Sequence, residues 1–212
     1  MSRLANTVTF AGLALCAVGA VYAAVGDFGS AAGWILLGFL CDAVDGKIAR
    51  SSGVKDPFGA LWDSVLDRYS DALICGGVAF YFARSGSWWL AAMSLSALAA
   101  ALITSYVRAR AEGLGYECRV GFWERPERAV VLFFGLLTAA PAAAVVVLGT
   151  LPHGTAIRRI VHVYRRSRPG DAADRSGAGS QAPKRMQVMY WIFLVGVSLV
   201  VLGAGWWQHH YA

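Results

Sequence analysis

Apolar runs separated by short polar breaks dominate this chain of 212 residues. They predict helices near 7–25, 30–50, 58–84, 88–113, 124–139, 142–167 and 187–208. Gly26-Asp27-Phe28-Gly29-Ser30 and Ser85-Gly86-Ser87 read as short turns between them. The stretch 168–186, rich in Arg, Gly, Ser, Asp and Ala, reads as a flexible linker. Residues 127–150 fit either one long span or two shorter ones broken near Ala139-Ala140-Pro141.

Composition sharpens this pattern into a class. With 57% apolar residues and a mean hydropathy of +0.51, the chain reads as an all-α polytopic membrane protein. Its length leaves room for one membrane domain and little else. The net charge is +6, and the basic residues gather in Arg108 to Arg128 and Arg158 to Arg185. That clustering is a topology signal before it is a nucleic-acid one, and no nucleic-acid partner is expected. It also favours the two-span reading of 127–150. With loop 51–57 in the cytoplasm, a single span would put the arginine-rich tract 158–185 outside, whereas a hairpin returns it to the cytoplasm. The hairpin's first arm would then be only about 20 Å long. Tyr190-Trp191 and Trp206-Trp207 bracket the last apolar run like interfacial anchors. Cys16, Cys41, Cys75 and Cys118 show no paired spacing, so neither disulfides nor a zinc site is expected. The first apolar run lacks a cleavage site leading to a soluble domain and is expected to be retained.

Four aspartates interrupt the apolar background. Asp42 and Asp45 are spaced i,i+3, and Asp63 and Asp67 i,i+4, so each pair shares one face of its helix. Bare carboxylates at membrane depth are expensive and mark function by default. Two helices facing each other with such pairs would build a cluster of four carboxylates. Its self-repulsion is relieved by one or two hard divalent cations, for which oxygen-only ligands are suited. A proton relay in a transporter is the reading from another class, but it needs acids strung along a path.

The full pattern is D-x2-D-G-x2-A-R-x8-G-x3-D-x3-D, read here as Asp42, Asp45, Gly46, Ala49, Arg50, Gly59, Asp63 and Asp67. In this the chain resembles the CDP-alcohol phosphotransferases, integral membrane enzymes of phospholipid synthesis, without departure at any fixed position. The resemblance implies a core of six transmembrane helices over 1–167, leaving 168–186 as a basic cytoplasmic linker and 187–212 as an added seventh helix with a short tail. It implies transfer of a phosphatidyl group from CDP-diacylglycerol to an alcohol with release of CMP, at a cytoplasm-facing site in the cell membrane. Mg²⁺ or Mn²⁺, as a two-ion centre on Asp42, Asp45 and Asp63, is implied as well. Asp67 would be general base, fourth ligand or both. Gly46 and Ala49 would admit the nucleotide or simply a neighbouring helix, and Gly59 would keep the site open. Arg50 would bind phosphate or snorkel to headgroups. Asn6 would contact the nucleotide or cap its helix, and Asp56 would approach the cytidine. Homodimers in a bed of membrane lipid are the family's habit.

The acceptor is addressed by other segments. Ser105-Tyr106-Val107-Arg108-Ala109-Arg110-Ala111-Glu112, Glu124-Arg125-Pro126-Glu127-Arg128 and Thr155-Ala156-Ile157-Arg158-Arg159 are similar to segments of the phosphatidylinositol-phosphate synthase branch. By position, Ser105, Arg108, Arg128 and Arg159 would hold the phosphate of an anionic polyol acceptor. Such a group of guanidiniums has no use for neutral inositol. Glycerol 3-phosphate is the alternative acceptor, and topology alone is the plainer account of these arginines. Arg125 and Arg128 would be steadied by Glu124 or Glu127. Asp71, one turn beyond Asp67, would orient an arginine or an acceptor hydroxyl, or pair with Arg68.

Overall fold

The computed structural model describes the backbone of residues 3–51 and 57–167, and the side chains of 8–42 and 57–167. Among the described residues every regular element is helical: α1 (Arg3–Val25), α2 (Phe28–Ser51), α3 (Pro57–Arg84), α4 (Trp88–Gly113), α5 (Arg125–Leu137) and α6 (Pro141–Arg166). The linker 168–186 and the expected helix 187–208 lie outside the described residues.

The helix ends follow from local chemistry. Asp27 opens α2 by accepting the Ser30 backbone N–H at 3.1 Å, a donor that the first helical turn would otherwise leave unpaired. The hydrogen bonds from Ser30, side chain first, hold the Asp27 carboxyl below its usual range. Helices α1, α3 and α4 each stop at a glycine with positive φ, Gly26, Gly86 and Gly115. Beyond each stop, two backbone N–H groups fold back onto the last carbonyls, as in Ser87 N to Phe82 O at 2.8 Å. Helix α5 stops in the same way, with Ala140 N on Gly135 O at 2.8 Å. There the left-handed position is an alanine, Ala139, at φ 54°. Pro141 then starts α6 where a missing N–H costs nothing.

The stretch 127–150 is therefore two helices, and they run antiparallel. A Cβ on Gly135 would collide with Ala144 near the turn. At the other end Glu124 meets Arg159. The charge argument chose the hairpin correctly, and α5, at 13 residues, is its short arm.

Helix α1 packs on α2 and α3, α4 on α3 and α6, and α5 on α2 and α6. Small residues allow the close crossings. A Cβ on Gly38 of α2 would lie 2.9 Å from Gly12 O of α1, and one on Gly149 of α6 would lie 2.7 Å from Met93 O of α4. Ile35, Ile74, Val78, Leu136 and Leu148 fill the space between. Outward faces stay apolar, with Val21, Leu37, Phe80, Leu95 and Ile157 exposed. Two of the described helices, Val8–Val25 and Trp88–Gly113, are long and apolar enough to cross a membrane. The others fall short for a visible reason: α5 is brief, and α2, α3 and α6 carry acids and arginines, most of them toward one end of the bundle.

Candidate active site

That charged end is assembled from all of the later helices. Asp42 comes from α2 and Asp63 and Asp67 from α3, and one carboxylate oxygen from each lies within 4.8 Å of the others. The i,i+4 spacing aims Asp63 and Asp67 from the same face, as expected. Three carboxylates this close repel one another unless a cation sits among them. The all-oxygen donor set suits a hard divalent ion such as Mg²⁺ or Mn²⁺. Asp45 continues α2 one turn beyond Asp42, but its side chain lies outside the described residues, as do those of Asn6, Gly46, Ala49 and Arg50. Asp56 lies outside them altogether. Gly59 is buried in the first turn of α3.

The sequence reading did not foresee the part taken by Arg125. Its Nη1 donates to Asp42 Oδ2 and lies 2.7 Å from Asp67 Oδ1. Its Nε is 4.0 Å from Asp71 Oδ1, and the guanidinium lies 5.4 Å from the centre of the Phe39 ring. The Nε is a buried donor with no hydrogen-bond partner among the described residues. Arg125 thus brings one positive charge to a group of acids that needs more than one.

Beside the acids opens a cavity of about 360 Å³, with Asp67 in its wall. Ser105, Arg108, Arg128 and Arg159, the residues singled out for an acceptor phosphate, all line it, joined by Ser64, Arg68, Asp71 and Arg125. The register of the last segment is clear: Arg159 is 2% exposed and lines the cavity, whereas its neighbour Arg158 points outward. Arg128 donates to Trp123 O at 3.1 Å and to Asp71 Oδ2 at 3.3 Å. Arg159 gives Nε to Val120 O at 2.8 Å and Nη1 to Thr104 O at 2.9 Å. Each guanidinium carries five N–H groups, so both keep donors for a ligand after these bonds are made.

The expectation that Glu124 steadies Arg125 and Arg128 is corrected. Arg125 and Arg128 are held by Asp42, Asp67 and Asp71, while Glu124 turns the other way, to Arg108 and Arg159, each at 3.2 Å. Glu124 is the extended residue just before α5 and Arg125 is its first helical residue, and their side chains serve different walls. Asp71 proves to be the arginine-orienting acid rather than a partner of Arg68, whose ion pair is with Asp67 at 3.7 Å. In the loop between α4 and α5, burial pushes the Cys118 thiol up, keeping it neutral. All four cysteines are free.

The family model for CDP-alcohol phosphatidyltransferases matches residues 2–164. The archaetidylinositol phosphate synthase of Methanothermobacter thermautotrophicus is 38% identical over 169 residues, covering 76% of this chain and 84% of that protein. The crystal structure of Mycobacterium tuberculosis phosphatidylinositol phosphate synthase with CDP-DAG bound superposes with a TM-score of 0.72 at 27% identity, covering 79% of this chain and 89% of that one. The same enzyme in complex with manganese and citrate gives a TM-score of 0.70 at 27% identity, covering 79% and 85%. With its aspartates gathered beside an arginine-lined cavity and the family model spanning most of its length, the chain belongs to the CDP-alcohol phosphatidyltransferase family.

Proposed function

We propose that the chain transfers a phosphatidyl group from CDP-diacylglycerol to inositol phosphate and releases CMP, with Mg²⁺ or Mn²⁺ held by Asp42, Asp45, Asp63 and Asp67. One observation carries this reading: Asp67 belongs at once to the acid cluster and to the wall of the arginine-lined cavity. A group bound in that cavity therefore lies next to the place where the donor diphosphate would be held. When bound, the cations offset the diphosphate charge and the charge on the leaving and attacking oxygens.

The chain's own residues supply the rest. Arg108, Arg128 and Arg159, with Ser105, bind the acceptor phosphate through charge-assisted hydrogen bonds. Anchored on that side, the acceptor presents a hydroxyl to Asp67, which takes its proton as the oxygen attacks the phosphatidyl phosphorus and the bond to CMP breaks. Arg125, bonded to Asp67 and Asp42, fixes the direction of that carboxylate. On the donor side Asn6, Gly46, Ala49, Arg50, Asp56 and Gly59 contact the CDP-lipid. A neutral acceptor would leave the guanidiniums without an anion to bind, and the names of the relatives above favour inositol phosphate among the phosphorylated choices. CMP release from CDP-diacylglycerol by purified protein, abolished by chelator and restored by Mn²⁺, is the expected result. Its absence would favour the transporter reading.

Residues 1–167 would form the membrane domain, crossing six times with the charged end in the cytoplasm of a cell-membrane homodimer. The linker 168–186 and a seventh helix over 187–208 would follow. The apolar outer faces and the basic tract ending α6 support this layout. In a cysteine-free background, single cysteines at 175 and 210 should label from opposite faces of sealed vesicles. Labelling from the same face would remove the seventh crossing, and membrane crosslinking tests the dimer.

A further inference from the structure

Three arginines of the cavity, Arg108, Arg128 and Arg159, are fastened to one short segment, Val120 to Glu124, which precedes α5. Val120 O accepts from Arg159, Trp123 O from Arg128, and Glu124 Oε1 from both Arg108 and Arg159. The segment is itself tied to α6, because the N–H groups of Phe122 and Trp123 point at Thr155 Oγ1 at 3.4 and 3.3 Å. Gly121 lies against the same Thr155 at φ 108°, a backbone setting that a larger residue rarely adopts. Within this strap Glu124 is the charged member. A single oxygen receives Arg108 Nη1 from α4 and Arg159 Nη2 from α6, both at 3.2 Å. Without that carboxylate two like charges would face each other across the cavity, and one of them, Arg159, is almost wholly buried.

We infer that Glu124 is a positioning residue for the acceptor: it holds Arg108 and Arg159 side by side so that their remaining donors converge on one phosphate. The inference rests on the proposed phosphorylated acceptor. The opposite role is a carboxylate that merely occupies the phosphate site until displaced. Glu124 sits at the start of α5, lines the cavity and ties its walls together through partners on α4 and α6.

The two roles differ in sign. If Glu124 positions the arginines, Glu124→Ala should raise KM for inositol phosphate about tenfold, as loss of a charge-assisted hydrogen bond would, with KM for CDP-diacylglycerol and kcat nearly unchanged. Glu124→Gln keeps the shape and one accepting oxygen, so it should lie between wild type and Glu124→Ala. It also carries the test if the alanine variant does not fold. A lower acceptor KM in both variants would overturn the inference in favour of a placeholder. A parallel rise in donor and acceptor KM would overturn it in favour of general loosening. Wild type that uses phosphorylated acceptors while Glu124→Ala keeps its KM overturns this inference alone. Wild type that prefers free inositol overturns the acceptor reading, and this inference with it.

Discussion

Single side chains set the chemistry at this site, and each can be questioned separately. Asp63→Asn removes one charge from the acid cluster and should abolish both activity and Mn²⁺ binding followed by electron paramagnetic resonance; retained binding would detach Asp63 from the metal. Asp67→Asn should spare binding of the CDP-lipid more than turnover, since loss of a general base costs about 10²–10⁴-fold in rate. Equal losses would make Asp67 a plain ligand. Arg128, largely buried and facing the cavity, should on replacement by Ala raise the acceptor KM by roughly 1.5–3 kcal/mol, with little change in donor KM. Arg165→Ala, on an exposed position near the end of α6, is the matched control and should change neither. The acids were legible because fixed spacing on one helix face survives into the fold, whereas Ser105, Arg108, Arg128 and Arg159, which line one cavity, were picked out by the resemblance of their segments. The bonds from Arg125 to Asp42 were not, because 83 residues separate the partners and nothing local in either segment encodes the contact. The acid–arginine pairing of Asp71 was legible only in outline: the stripe on α3 gave its face, while its partners Arg125 and Arg128 come from α5, Arg128 being 57 residues further along the chain.

Helices as units were the most readable level. The apolar runs located all six described helices to within a few residues, because glycine stops and proline starts lie at their ends. The stretch 127–150 resisted hydropathy because both readings are equally apolar there, and charge asymmetry decided it. Its turn stores a small, local cost. Ala139 occupies a left-handed conformation that the equivalent ends of α1, α3 and α4 give to glycine. Ala139→Gly should therefore stabilise the protein by about 1 kcal/mol, the usual penalty for a Cβ in that region. Thermal unfolding in detergent checks this: a higher Tm is expected, and an unchanged or lower one would mean the turn is not held as described.

For the whole molecule, the bundle divides its labour along its length. One end is closed by short turns and packed through small residues, and the other gathers acids and arginines from five helices into two adjoining parts, the acid cluster and the arginine-lined cavity. Sequence pattern conveyed this division through the contrast between apolar spans and their charged ends, but not how tightly the two sides interlock through Asp67 and Arg125. The central claim is that the acid cluster works on an acceptor held by its own phosphate. It is tested most directly by measuring CMP release from CDP-diacylglycerol with Mn²⁺, offering inositol phosphate, glycerol 3-phosphate and free inositol separately to the wild-type protein. The expected result is efficient turnover with inositol phosphate, weaker turnover with glycerol 3-phosphate and little with inositol. Preference for free inositol over both phosphorylated acceptors would contradict the account.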